Sequence, residues 1–307
     1  MMHRRSFLRA ASLAATGLAA SACGTRADDT VDLPGSNDDL GLAVQTASFE
    51  TLTGPDRWLA FGVTNIDGSP LVEDAQVEVF LRPVPVGSDN QTAATVGPLQ
   101  ATFSPSEETG QGVWFVQTGL EQTGFTEVVA QSGKDYGIGT IQVVDPADSL
   151  VTADGVPLVP GALAVDTPTA TTDDDRGYFS VCTQDPPCGM HQTSLDQALA
   201  AGRRVVLLFA TPQFCQTAVC GPSVATLDGI RRDGDWGDTV FIHSEIYAEE
   251  PSGQQVAATP LVQAVSAWGL PSEPWLFTIR PDRTIANRID GPMPQPVVRR
   301  LVEELTA

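Results

Sequence analysis

Between Val44 and Asp145 the apolar positions come in short runs with partial period-two alternation. Trp58–Val63, Gln76–Leu81, Val113–Val116, Phe125–Val129 and Gly137–Val144 are such runs. A period of two puts alternate side chains on opposite faces of a strand. Turn-forming clusters separate the runs, at Asp67–Pro70, Pro83–Pro85, Ser104–Pro105 and Ser132–Asp135. No stretch here carries a helical period. Several short strands over about 100 residues predict an all-β, immunoglobulin-like sandwich for residues 44–145. The segment has no cysteine, so no disulfide would join its sheets. It also has no titratable cluster, and a spacer or binding module is the expected role.

After residue 177 the pattern changes. Ser194–Gly202 reads as a helix with a serine N-cap and a terminal glycine. Arg204–Ala210 reads as a buried strand, Val219–Arg231 as a helix and Thr239–His243 as a strand. Thr259-Pro260 opens a predicted helix through Trp268, with proline at its first position. Trp275–Ile279 and Thr284–Ile289 flank the turn Pro281–Arg283 and predict an antiparallel hairpin. Pro296–Leu305 closes the chain as a helix. Strands alternating with helices and ending in a hairpin predict a mixed sheet covered on both faces. Between the halves, residues 146–177 are rich in proline and threonine and carry Asp173–Asp175, the composition of a linker, with the apolar stretch Val156–Val165 able to lie against one of the domains.

The N-terminus adds a location. His3–Arg9 contains Arg4-Arg5 and precedes a small-residue apolar run, Ala10–Ala22, too short to span a bilayer. The segment resembles a twin-arginine export signal. Ala20-Ser-Ala-Cys23 resembles a bacterial lipobox, with alanine where leucine is usual, and implies lipidation at Cys23. On this reading residues 1–23 are signal and lipobox and residues 24–43 an acidic tether. The protein is exported, either held on the outer face of the cytoplasmic membrane as a lipoprotein or free in the periplasm or cell wall.

Charge narrows the partners. The chain holds 17 Lys+Arg against 38 Asp+Glu, a formal net charge of −21. Nucleic acid is excluded as an expected partner, because phosphate binding wants the opposite sign. The membrane would be reached only through the N-terminal lipid.

Four cysteines remain beyond Cys23, in two close pairs, Cys182/Cys188 and Cys215/Cys220. Even counts at close spacing in an oxidising compartment predict disulfides within each pair. Cys215 and Cys220 follow the strand ending near Ala210 and flank a helix start, where the helix dipole favours thiolate. Order of elements, cysteine position and a proline before the next-to-last strand, Pro274, together resemble the thioredoxin fold over 178–307. Phe209–Cys215 also resembles the Phe-Ala-Thr-Pro-x-Phe-Cys segment of exported bacterial proteins with a thioredoxin-like domain. The resemblance implies a cis Pro274 facing the cysteines and a thiol–disulfide oxidoreductase acting on protein thiols or disulfides.

The spacing departs from that family, which carries Cys-x-x-Cys. Five residues apart, two helical positions are rotated by about 140°, so Cys215 is expected in the loop and Cys220 in the first helical turn. Cys215 is then the nucleophile and Cys220 the resolving thiol. Thr217–Cys220 alternatively resembles the Thr-x-x-Cys of peroxiredoxins, a thiol peroxidase reading. A non-catalytic lipoprotein with a thioredoxin-like binding module is the third reading. Cys182 and Cys188 are expected to form a structural disulfide. Cys188, Met190 and His191 make a soft-ligand set that could take copper. Copper-delivery members of the superfamily use a late histidine, however, and none follows His243. His243 is therefore expected as a satisfied core histidine, and neither metal nor cofactor is expected.

Overall fold

The computed structural model describes residues 40–72, 74–85, 94–106, 112–215, 219–252 and 256–307. The export signal, Cys23, most of the tether and Thr217 lie outside them.

The first half begins with β1 (Leu42–Thr46), β2 (Thr51–Leu52), β3 (Gly54–Asn65) and β4 (Glu78–Pro83). It continues with β5 (Val96–Gln100), β6 (Thr102–Pro105), β7 (Gly112–Leu120), β8 (Gly124–Ser132) and β9 (Asp135–Val144). One sheet has the order β1-β3-β7-β6, the other β2-β9-β8-β4-β5. All neighbours are antiparallel except β2 and β9. Alternate residues of both sheets share one apolar core: Leu59, Phe61, Trp114 and Val116 from the first, Val79, Leu81, Val128 and Ile141 from the second. The expected tether end, residue 43, falls inside β1, because Leu42 is buried against that core. Four strands, β1, β2, β5 and β6, are additional to those read from the sequence.

Residues 146–177 are not a free linker. They form the small hairpin β10 (Thr152–Ala153) and β11 (Val156–Pro157). Val151, Leu158 and Ala164 are buried in the core of the second half. Proline and threonine content suggested solvation, but the apolar residues between them pack. Gly269 makes room for the hairpin: a Cβ there would sit 2.2 Å from the Thr152 carbonyl oxygen.

The second half runs α1 (Leu195–Ala200), β12 (Val205–Phe209), α2 (Cys220–Asp233), β13 (Val240–Ser244), α3 (Gln263–Ala267), β14 (Trp275–Ile279), β15 (Ile285–Asp290) and α4 (Gln295–Thr306). Its sheet has the order β13-β12-β14-β15. β12 and β13 are parallel; β14 runs antiparallel to β12 and to β15. All five residues of β12 are buried, as its unbroken apolar run predicts for a central strand. Val205, Leu207 and Phe209 pack with α1 and α3 on one face. Val206 and Leu208 pack with α2 and α4 on the other. α4 buries Val297, Val298, Leu301, Val302 and Leu305, each worth about 1.5–3 kcal/mol of apolar burial.

α3 starts later than the Thr259-Pro260 signal predicts. Leu261 bridges Tyr247, and the Val262 amide donates to the Ile246 carbonyl, so these residues extend along the strand before the helix turns.

The halves meet at a buried ion pair between Glu50 and Arg288. Arg288 also donates to Ser149 Oγ (3.1 Å) and the Leu158 carbonyl (3.0 Å) and lies over the Trp275 ring. The Phe49 amide donates to the Asp290 carboxylate. A cleft of about 330 Å³ beside these groups is lined by Arg57, Trp58, Arg288, Asp290 and Arg300 among others; no cysteine lines it.

Candidate functional site

β12 delivers the chain to the first cysteine pair. The strand ends at Phe209 and a turn follows through Phe214; Cys215 is half-buried there. Phe214 packs edge-on against Phe179 and Tyr247. Cys220 is the first residue of α2 and is fully buried. So the pair divides between loop and helix start, as the five-residue spacing requires.

The two sulfurs and a Glu273 carboxylate oxygen lie within 4.8 Å of one another. Glu273 precedes Pro274, and the bond between them is cis. The Cys220 thiol is pushed up, first by its hydrogen bond to Cys215, then by burial and by the negative charge at Cys215. Cys220 is thus disfavoured as a thiolate beside Cys215. Burial raises the Glu273 carboxyl, and the charge at Cys215 raises it further. Tyr247 is pushed up to about 12, by burial first and then by Glu273, Cys220 and Cys215.

A second constellation sits behind this one. Cys182, Cys188 and His191 come from the loop before α1, and His243 comes from β13. Their ligand atoms all lie within 4.8 Å of one another. Cys188 Sγ is 3.2 Å from His191 Nε2 and 3.4 Å from His243 Nδ1. Cys182 Sγ is 3.7 Å from Cys188 Sγ and 3.9 Å from His243 Nδ1. Cys188, His191 and His243 are all buried. The Cys182 thiol is held far down, chiefly by a hydrogen bond from Cys188 and then by the histidines; the Cys188 thiol is correspondingly raised.

None of the four described cysteines is in a disulfide. The expected Cys182–Cys188 bond is not present: the sulfurs are 3.7 Å apart, and a disulfide needs about 2 Å. The expected Cys215–Cys220 bond is absent too; the Cys220 thiol is hydrogen-bonded to Cys215 instead. His243 is buried, but it is more than a core histidine. Its Nε2 faces the Ala210 carbonyl at 3.0 Å, and its Nδ1 faces both sulfurs.

The two constellations are mechanically linked. Thr183 donates its amide (2.6 Å) and hydroxyl (2.9 Å) to Glu245. Thr183 Oγ1 in turn accepts from the Gln213 amide at 3.2 Å, two residues before Cys215. Glu245 is almost fully buried, and burial raises its carboxyl. The sequence pattern assigns no role to Glu245 or Tyr247. It did not find Glu273, whose only signal was its position before Pro274.

No known family profile and no curated protein matches the chain. Among solved structures, a DUF4784 family protein from Bacteroides caccae is similar at 14% identity over 34% of this chain, with a TM-score of 0.24. The chain spans only 23% of that protein's length. A thiol:disulfide interchange protein of the thioredoxin family from Chlorobium tepidum is similar at 15% identity over 47% of this chain and 100% of its own, with a TM-score of 0.28. The C-terminal domain of ZirS is similar at 10% identity over 45% of this chain and 87% of its own, with a TM-score of 0.20.

Proposed function

We propose that the second half is a thioredoxin-like thiol–disulfide oxidoreductase acting outside the cytoplasm through Cys215 and Cys220. The observation that carries this reading is the placement of the pair: a half-buried Cys215 at a loop end faces the buried Cys220 thiol, pushed up by that contact and by burial, at a helix N-terminus. That is the asymmetry a dithiol exchange needs, since thiolate is the attacking form.

The steps follow. Cys215 thiolate attacks one sulfur of a partner protein's disulfide. A mixed disulfide forms, and the partner's other sulfur leaves as thiolate. Cys220 then loses its proton and attacks Cys215 Sγ, and the partner's second sulfur departs as a thiolate that takes up a proton. Two electrons pass from the dithiol to the partner, and Cys215–Cys220 becomes a disulfide. Glu273 lies near enough to both sulfurs to receive the Cys220 proton. The immunoglobulin-like first half would serve as spacer between the lipid at Cys23 and this site.

Cys220→Ser should accumulate a mixed disulfide at Cys215 when the reduced protein meets a disulfide-bonded test protein, read by intact mass. If the mixed disulfide accumulates only in Cys215→Ser, Cys220 is the nucleophile and the assignment fails.

A further inference from the structure

We propose that Cys182, Cys188, His191 and His243 form a closed structural zinc site that braces the loop carrying Cys215. Tetrahedral zinc binds thiolate sulfur at about 2.3 Å and imidazole nitrogen at about 2.0–2.1 Å. Those lengths fix the edges of the tetrahedron at about 3.8 Å between sulfurs and about 3.6 Å between sulfur and nitrogen. The sulfurs are 3.7 Å apart, and the sulfur–nitrogen separations are 3.2, 3.4 and 3.9 Å. Four of the six edges are thus close to zinc-sized, and all four donors lie within 4.8 Å of one another.

Chemistry agrees with geometry. Two thiolates neutralise the two charges of zinc, so the filled site adds no net charge to a buried place. Binding would release the thiol protons. His243 Nε2–H facing the Ala210 carbonyl leaves Nδ1 as the lone-pair atom toward the sulfurs, the outer-sphere arrangement of a metal-binding histidine. Four protein ligands leave no open position, which marks a structural rather than a catalytic site.

The brace has a direction. The Cys182–His191 loop would be pinned to β13 through His243. Thr183, next to Cys182, holds Glu245 on one side and the Gln213 amide on the other. Zinc would therefore fix the position of the turn from which Cys215 projects.

The test uses the full chain, purified under reductant. Elemental analysis should find stoichiometric zinc. Exchange for cobalt(II) should give the intense visible bands of a tetrahedral ion with thiolate charge transfer. His191→Ala should lose the metal, while His191→Cys, which restores a fourth donor, should keep it with a shifted cobalt spectrum. Folding of each variant is followed by circular dichroism. The proposal is overturned if the folded, reduced wild-type protein takes up neither zinc nor tetrahedral cobalt. It is also overturned if the purified ion is cuprous copper, or if mass spectrometry shows a Cys182–Cys188 disulfide persisting in the folded protein. None of these readouts depends on Cys215 or Cys220, so the oxidoreductase reading stands or falls separately.

Discussion

Two neighbours bias the ionisation of Cys215 in opposite senses. A Cys220 thiol hydrogen-bonded to Cys215 favours an anion there. Glu273 opposes it, because two negative charges within 4.8 Å disfavour each other. Replacing the carboxylate by an amide removes the repulsion and leaves the shape. Glu273→Gln should therefore lower the pH midpoint at which Cys215 becomes alkylated by iodoacetamide. A midpoint that stays put or rises would mean the carboxyl is already protonated when Cys215 ionises. His243 shows the limit of reading single residues. It lies 55 positions from Cys188, and the His243 amide donating to the Met190 carbonyl holds the Cys188 loop against β13. No local spacing could announce that set, whereas Cys215 and Cys220 sit five apart beside a strand end and were visible at once.

At the scale of elements, the sequence was most legible where burial is complete. β12 and β14 are buried at every residue; an unbroken apolar run marks β12, and only Thr278 breaks the run of β14. The short edge strands β2 and β6 carry little apolar patterning, and were invisible for that reason. The hairpin of β10 and β11 was hidden by proline and threonine, since composition does not show that Val151 and Leu158 have a core to enter. The end of β15 carries the sharpest pH dependence. The Asp290 carboxyl is raised to about 7, by burial first; the Phe49 amide and Arg288 oppose the rise, and Glu50 adds to it. Its unfolded value is near 3.8. Between those values the folded state holds a proton that the unfolded state has lost, so stability falls as pH rises from about 4 to about 7. The whole effect is at most about 4 kcal/mol. Asp290→Asn should flatten this part of the pH–stability curve in urea titrations and be relatively more stable than wild type at pH 8. An unchanged slope would place the titration elsewhere.

At the scale of the molecule, no helix among the described residues is long and apolar enough to cross a membrane. The lipobox resemblance at Cys23 is tested directly. Cys23→Ala should move the protein from the membrane fraction to the soluble fraction; unchanged partition would remove the lipid. Arg288 and Glu50 join the halves through a buried pair, so the two halves should move together rather than as beads on a string. The central claim is that Cys215 and Cys220 exchange electrons rather than merely pin a loop. The most direct measurement is their reduction potential, by equilibrating the folded protein with thiol buffers and counting the two sulfurs by mass. The account predicts a value above about −300 mV, in the range of labile, exchanging bonds. A value below that would mark a structural bond and contradict it.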